Sequence, residues 1–442
     1  MRGTARQASV ALRPVAAIAI ALSTVGQVIA AQESAPLRAD PHRILAHIEG
    51  LSRFGRNAEG GVDRVAYSEA DIQGREYVKE LMREAGLAVV TDTAGNIIGR
   101  REGSDPGLAP ILFGSHIDSV PGGGNYDGDV GVMGAIEAAQ LLHEAGVVTR
   151  HPLEVVVFAD EEGGLNGSRA MVGDLTPEAL QVVSHSGLTV GEGIRALGGD
   201  PESIEEARRP PGAIRAFLEL HIEQGGTLGD KSLDIGVVEG IVGISWWEVT
   251  IEGMANHAGT TPMAGRKDAL VAASHLIIGV SRIALERPGR HVATVGRISA
   301  DPGAPNVIPG KVVMSLEVRD LDSRTIQELF TAIAAYSGEV ANKTGTRMSW
   351  RKLATASTPA PTDEGMRDLI EASAKELGLT TLRMPSGAGH DAQDLARITP
   401  TGMIFVPSRG GISHSPKEYT SPEDMANGAS VLLRTILKID LQ

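Results

Sequence analysis

The chain has 442 residues, with 41 Lys and Arg against 55 Asp and Glu, a formal net charge of −14, and 42% hydrophobic residues. Those figures exclude a disordered chain, a collagen and a polytopic membrane protein, and the acidic balance argues against a nucleic-acid partner, whose phosphates need a basic footprint. There is no cysteine, so disulfides and thiolate chemistry are excluded and any metal must be held by His, Asp and Glu.

Residues 1–31 carry Arg2, Arg6 and Arg13 and no acidic residue, with an apolar run over 15–22 and a small-residue end at Ala30-Ala31. This is the pattern of a Sec-type secretory signal peptide. A single membrane anchor is the other reading. Ser23, Thr24, Gly26 and Gln27 interrupt the stretch, which falls short of the ~20 apolar residues of a spanning helix. With no Arg-Arg pair and no cysteine in the segment, neither twin-arginine export nor a lipoprotein anchor is suggested. The mature chain is expected in the periplasm or outside the cell, without membrane attachment after cleavage.

The length allows two or three domains. After the signal, short apolar runs alternate with helical patterns, the mark of an α/β architecture. Residues 111–113, 153–158 and 217–220 read as buried strands, each ending just before polar residues. Residues 130–143 read as a helix rich in small residues, able to pack closely on a sheet. In open α/β sheets, ligands gather at the carboxyl ends of strands, and the polar clusters of this sequence fall there. Near residue 243 the character changes. Residues 245–252, 292–298 and 312–318 alternate as half-exposed strands, joined by helical stretches at 267–285 and 323–343. That order suits a small α+β domain of ferredoxin-like type inserted into the first. A helix at 364–377 and a strand at 402–406 then return the chain to the first domain. The expected division is a signal peptide at 1–31, a first domain at 32–242 and 351–442, and an insertion at 243–350.

Four clusters of potential metal ligands stand out. They are Gly114-Ser-His116-Ile-Asp118-Ser-Val with Asp127 shortly after, Asp160-Glu161-Glu162-Gly163, Leu220-His221-Ile-Glu223-Gln224-Gly225, and Gly411-Ile-Ser413-His414-Ser-Pro416. Taken singly, each histidine could be an ordinary core or surface residue, and the acidic run a solvated loop or a helix start. Four clusters, three of them directly after buried strands, are harder to dismiss.

Together with His257-Ala-Gly-Thr-Thr-Pro262 and Pro305-Asn-Val-Ile-Pro309, these motifs resemble the metallopeptidase family of carboxypeptidase G and aminoacylase. Within it they are most similar to the hydantoinase/carbamoylase amidase branch, that of N-carbamoyl-L-amino acid hydrolases, β-ureidopropionases and allantoate amidohydrolases. The resemblance runs from about residue 40 to the end. It implies a di-zinc aminopeptidase-like α/β catalytic domain, with the insertion serving as a lid and pairing two chains into a homodimer. It also implies two divalent ions per subunit, zinc first, with manganese, cobalt or nickel as alternatives. Carried over, His116 and His221 hold one ion, Glu162 and His414 the other, and Asp127 bridges them. Neutral imidazoles and carboxylates suit zinc, and a bridging carboxylate offsets repulsion between the cations. Asp118 would reach back to fix the tautomer of His116. Glu161 would be the general base, taking a proton from a metal-bridging water and delivering it to the leaving nitrogen. Adjacent glutamates can divide those roles only if the backbone turns between them, because successive strand side chains point opposite ways.

The same resemblance gives Asn306 and Arg319 the carboxylate of a small substrate, with arginine suited to a bidentate grip. It gives His257 a place in the neighbouring subunit's site, stabilising the tetrahedral intermediate. Gln224, His390 and Asp391 are further candidates for polar contacts to a ureido or amide group. Plainer readings stay open: a surface ion pair for Arg319-Asp320, a turn before Pro309 for Asn306, and the start of a helix over 391–397 for His390-Asp391. Asp92 and Asn96 read as turn formers. The implied activity is metal-dependent hydrolysis of a linear amide, an N-carbamoyl-L-amino acid first, with N-acyl-amino-acid amidase, dipeptidase and allantoate amidohydrolase as alternatives. A non-catalytic binding member would be expected to lose ligands or base, and all are present. One stretch departs from the branch. Glu162-Gly-Gly-Leu-Asn-Gly167-Ser168-Arg169 lacks the Arg-Phe pair and longer loop usual there, so specificity would diverge at this point if anywhere.

Overall fold

A computed structural model describes residues 1–4, 37–353 and 357–442. The expected signal peptide, apart from its first four residues, lies outside the described residues. From Leu37 onward the described residues build a nine-stranded sheet, a five-stranded sheet and a two-stranded ribbon. The first strands are β1 (Ala88–Thr91), β2 (Ile97–Arg101), β3 (Ile111–His116), β4 (Leu153–Phe158), β5 (Ala216–Ile222) and β6 (Ile235–Ile241). The next are β7 (Gly243–Glu252), β8 (Asn256–His257), β9 (Val292–Thr294), β10 (Ile298–Asp301), β11 (Val307–Ile308), β12 (Lys311–Asp320) and β13 (Arg347–Lys352). The last are β14 (Ala360–Pro361), β15 (Thr381–Ser386) and β16 (Thr401–Val406).

The large sheet runs β1-β2-β4-β3-β5-β16-β6-β14, with β15 beside β6. At its centre β4, β3, β5 and β16 are parallel neighbours. Their residues are buried throughout, as parallel strands covered on both faces must be. The two-residue period sorts them: Ala216, Leu218, Leu220 and Ile222 turn to one core and Phe217 to the other. Helices Pro41–Leu51, Asp129–Glu144, Glu364–Glu376 and Pro422–Asp440 cover the first face with Ile48, Ile136, Ile370 and Ile436. Met171, Ala392 and Leu395, from the short helices Asn166–Val172 and Asp391–Leu395, cover the second. The small residues of Asp129–Glu144 let it lie directly on β5. A Cβ on Gly131 would stand 2.1 Å from the Leu220 carbonyl oxygen.

Chain segments from β7 to β13 form the second sheet, ordered β10-β12-β7-β13 with β9 also on β12. Helices Ala269–Glu286 and Ser323–Thr344 pack on one of its faces through Leu276, Leu329 and Ile333 against Trp247, Val249 and Leu316. Strand–helix–strand–strand–helix–strand in this order is the ferredoxin-like arrangement. Trp247 stacks on Phe330 with ring centroids 4.3 Å apart, so β7 and the second helix share an aromatic clasp. The closing strand β13 has no counterpart in the sequence reading. The single strand expected at 292–298 is two. β9 pairs with Glu317–Arg319 and β10 with Lys311–Met314. Between them the Ser315 hydroxyl takes the Arg297 N–H at 3.1 Å, a side-chain bond inserted into the ladder.

One buried ion pair ties strand to helix below the site. Arg64 Nη2 donates to Asp129 Oδ2 at 2.5 Å, both side chains about 1% exposed. Its Nε donates to the Ile117 carbonyl at 2.7 Å, and Nη1 to the carbonyls of Leu51 and Phe54, each at 3.2 Å. The guanidinium therefore joins the end of β3, the end of the first helix and the start of Asp129–Glu144. Removing one partner strands the other charge in the core. Arg64→Met is expected to cost about 3–5 kcal/mol in urea unfolding, with Arg64→Met/Asp129→Leu recovering much of the loss.

Candidate metal centre

Four parallel strands end side by side, and the polar clusters follow their ends. His116 is the last residue of β3, and His221 lies one residue before the end of β5. Glu161 and Glu162 open the turn Glu161–Gly164 just beyond β4, and His414 lies in the loop after β16. Asp127 sits between β3 and the helix Asp129–Glu144. These loops bend hard. Asp160, Gln224 and His414 hold φ of 56°, 58° and 53°, a left-handed conformation costly for residues with a Cβ and typical of functional sites. The bend at Asp160 turns the backbone so that Glu161 and Glu162 diverge. Gly128 has φ 68°, and a Cβ there would lie 2.5 Å from His116 Cε1. Only glycine lets the Asp127 loop close over that ring.

The five expected ligands converge as two groups that share Asp127. His116, Asp127 and His221 offer three atoms within 4.8 Å of one another, and so do Asp127, Glu162 and His414. Asp127 Oδ1 faces His221 Nε2 at 3.1 Å and His116 Nε2 at 3.9 Å. Its Oδ2 faces His414 Nε2 at 3.3 Å, and Glu162 Oε1 lies 3.2 Å from the same nitrogen. Each oxygen of one carboxylate thus serves one group. Glu161 Oε2 lies 3.7 Å from His116 Nε2, beside the groups.

The surrounding hydrogen bonds fix these side chains. His116 Nδ1 meets the Asp118 carbonyl at 3.0 Å, and His221 Nδ1 the Ile222 carbonyl at 2.9 Å. Both rings therefore carry Nδ1–H and turn Nε2 inward. The Asp118 carboxylate, expected to do this, is 3.7 Å from the ring nitrogen. It instead accepts the N–H groups of Glu161 and Glu162 at 3.2 and 3.1 Å. The ring N–H has one in-plane acceptor, and the carboxylate gains more from two donors. Gln224 Nε2 donates to Asp127 Oδ2 at 2.7 Å, so this amide lies against the shared carboxylate. His390 is buried, its ring 4.5 Å from that of His221, with Nε2 2.8 Å from Ser386 Oγ and Nδ1 without a partner. It also precedes the helix Asp391–Leu395, so the plainer reading describes its backbone. Asp391 is fully buried with neither oxygen paired.

Sequence reading passed over Glu418. Its carboxylate accepts the N–H groups of Tyr126, Asp127 and His414 at 2.8, 2.9 and 3.2 Å, and the Ser413 hydroxyl at 2.9 Å. It locks two ligand loops together. The available signal was an acid four residues after His414, in a segment with no helical pattern. Asn96 does more than form a turn. It accepts the Ala159 N–H at 3.0 Å and donates to the Asp92 carboxylate and the Gly167 carbonyl at 2.9 and 3.2 Å. Asp92 caps its turn as read, through the N–H groups of Ala94 and Asn96.

The remaining candidates lie on the second sheet unit. His257 and Asn306 meet on an exposed ribbon, where β8 pairs with β11 and the Ala258 N–H donates to the Asn306 carbonyl at 3.0 Å. His257 Nδ1 accepts the N–H groups of Gly259 and Thr260 at 2.9 and 3.2 Å, so its proton is on Nε2. No hydrogen bond or ion pair among the described residues joins this pair to the ligand groups. Arg319 pairs with Glu317 and donates Nη1 to the Gly387 carbonyl at 2.6 Å, three residues before His390. It is not paired with Asp320.

Electrostatics follow from this packing. Burial opposes ionisation of Asp127, but His221, His414 and His116 hold it well below the ordinary carboxylate range. Burial lowers His221, and Asp127 and Glu219 more than reverse that, raising it to about 9. Asp127 and Glu162 raise His414 to about 10. Glu161 goes well above the usual range, through burial and then the carboxylates of Glu162, Asp391, Asp118 and Asp127. Without cations the site is an acid cluster neutralised by protonated imidazoles. His221 Nε2 and Glu162 Oε1 are buried without a hydrogen-bond partner although each faces another ligand atom. Imidazole nitrogens and carboxylate oxygens converging on shared points, with no sulfur, are a donor set that fits divalent metal ions.

The model of Peptidase family M20/M25/M40 matches residues 112–438. The chain belongs to this family. It is 42% identical over 402 residues to an N-carbamoyl-L-amino acid amidohydrolase of Geobacillus stearothermophilus, covering 90% of this chain and 98% of that one. It is 37% identical over 402 residues to an allantoate amidohydrolase of Bacillus subtilis, covering 90% and 97%. A solved amidase of the hydantoinase/carbamoylase family from Burkholderia multivorans superposes with a TM-score of 0.85 at 34% identity, covering 92% and 99%. As a member of the M20 family the chain is a hydrolase of carbon–nitrogen bonds, and the family's use of divalent metals agrees with the donor set.

In the metal-free protein His221 and His414 keep their protons at neutral pH, since their folded values of about 9 and about 10 exceed the ordinary 6.5. That contribution to stability is complete below the unfolded value and fades as pH rises through the folded ones. A cation must displace both protons. Zinc titration calorimetry at pH 7.5, in two buffers of different ionisation heat, is expected to show release of about two protons and affinity rising towards pH 9. Binding without proton release would contradict this pairing.

Proposed function

We propose that the chain hydrolyses N-carbamoyl-L-amino acids with two divalent ions, zinc first, as a homodimer. The observation that carries this reading is the single carboxylate of Asp127 shared between two three-ligand groups, with Glu161 beside them. When bound, the ions would polarise the scissile carbonyl and lower the pKa of water. His116, Asp127 and His221 would hold one ion, and Asp127, Glu162 and His414 the other. Glu161, with its Oε2 3.7 Å from His116 Nε2, takes a proton from the attacking water and hands it to the leaving nitrogen. Gln224 and His390, with a free acceptor and a free ring nitrogen at the site, contact the ureido group. Arg319 grips the substrate carboxylate, and the two relatives above name substrates that carry one together with a ureido nitrogen.

His257 and Asn306, on their exposed ribbon, serve the neighbouring subunit's site, with His257 Nε2–H donating to the oxyanion. The pairing surface proposed is the outer face of Ala269–Glu286. Val271, Ile278 and Leu285 repeat every seven residues there and are 49%, 67% and 84% exposed, apolar points of the kind homodimers bury, set among Ser274, His275, Ser281 and Arg282. Export by the segment at 1–31 is part of the same proposal and rests on its charge and apolar pattern.

The compact turn after Glu162 favours a second reading, hydrolysis of N-acyl-amino acids or dipeptides, because a short loop leaves the pocket rim open. A panel of N-carbamoyl, N-acetyl and glycyl derivatives of the same L-amino acids separates the two by release of α-amine. The carbamoyl series is expected to turn over at least about tenfold faster, and a faster acyl or peptide series would install the second reading. Glu161→Ala is expected to lower kcat by at least about 1,000-fold with two metal equivalents retained. Ile278→Asp is expected to give monomers in sedimentation that keep their metal and lose most activity. Full activity in those monomers would remove His257 from the reaction.

A further inference from the structure

Glu317 and Arg319 are two residues apart on β12, so their side chains leave the same face of the sheet. Between them Val318 points into the unit's core, as does Leu316, so that face is turned away from the two covering helices. Trp246 is the register partner of Glu317 on β7. The Glu317 carboxylate accepts Arg319 Nε at 2.8 Å and Nη2 at 3.2 Å, and the Trp246 indole N–H as well. Arg319 Nη1 crosses to the first domain and donates to the Gly387 carbonyl at 2.6 Å. Gly387 begins the segment that ends in His390.

We propose that Glu317 is the positioning residue for Arg319: it fixes the Nε–Nη2 edge so that the Nη1 edge faces the segment from Gly387 to His390, where a substrate carboxylate competes with the Gly387 carbonyl. This rests on the reading of Arg319 as the carboxylate grip. An arginine has a long, rotamer-rich stem, and a two-point carboxylate contact is the geometry that fixes its plane. Trp246 in turn fixes the glutamate. The pair is partly exposed, at 28% and 23%, so it adds little to global stability. Its effect is orientation. The Gly387 carbonyl is a weaker partner than an ionised carboxylate, so substrate displaces it and takes a guanidinium already in place. A charge-only view gives the opposite sign, because removing Glu317 would free positive charge and tighten carboxylate binding.

The test compares Glu317→Gln, Glu317→Asp and Arg319→Met in the metal-loaded full enzyme. Each is assayed on the preferred substrate and on its carboxamide, which lacks the carboxylate. Glu317→Gln is expected to raise KM for the acid about tenfold while leaving kcat, the carboxamide and the melting temperature nearly unchanged. Glu317→Asp, which keeps the charge on a shorter stem, should recover part of the KM. An unchanged or lowered KM in Glu317→Gln, or equal losses on acid and carboxamide, overturns the proposal. Arg319→Met separates the underlying reading. If it does not erase the preference for acid over carboxamide, Arg319 is not the grip and Glu317 has nothing to position.

Discussion

One carboxylate, that of Asp127, faces two groups of candidate metal-ligating atoms at once, and much of the molecule around it holds it there. Its two oxygens point to different imidazoles, so the side chain cannot rotate without breaking one group. Gln224 and Ser413 both donate to Oδ2, at 2.7 Å each, and Glu418 holds the backbone N–H. Gly128 clears the space for the His116 ring. Two residues on, Asp129 is pinned by Arg64, which also holds the end of β3 just beyond His116. The loop is thus fastened at Tyr126, Asp127 and Asp129 by Glu418, Gln224, Ser413 and Arg64. Preorganisation of this kind places the cost of gathering charge in the folding reaction rather than in catalysis.

The parallel core explains where that cost is met. β4, β3, β5 and β16 are buried on both faces, so their register is fixed by apolar contacts on each side. His116 and Phe158 are register partners, and so are His221 and Phe405. Ligands on neighbouring strands are therefore aligned by the same hydrogen bonds that make the sheet. Left-handed backbone at Asp160, Gln224 and His414 then turns the chain toward a common point. The second sheet unit follows a different logic. Its ribbon carries His257 and Asn306 outward, while Arg319 turns back to the Gly387 segment, so one insertion presents polar groups in two directions.

Much of this was legible in the sequence for physical reasons. The strands at 111, 153 and 217 announced themselves because doubly covered strands are apolar throughout, and the motifs after them carry ligand-type residues in a tight spacing. The helix at 130–143 was readable from small residues that have no other use at that density. What escaped was set by tertiary contact. Glu418 is an unremarkable acid in the sequence, and only the fold brings Tyr126 and Asp127 to it. The split between β9 and β10 depends on a serine hydroxyl from another strand. Asp118 does hold the His116 ring, but through its backbone carbonyl, which reaches Nδ1 before the side chain that the two-residue spacing suggests. Glu317 looked like any exposed alternation in a half-buried strand.

The turn after Glu162 is tied down at its base. Its upstream side is immobile: Asp118 holds both glutamate N–H groups, and Asn166 donates to the Asp160 carboxylate at 2.5 Å. Asn96 ties Ala159 and Gly167 across the base of the turn. Residues 163–165 are the part that these bonds leave outside, and Leu165 reverses the chain with φ 58°. Length can change there without moving Glu161 or Glu162, since both are fixed from the strand side. The turn tip at 163–165 can therefore differ in length while the two glutamates stay where the end of β4 and the Asp118 carboxylate place them.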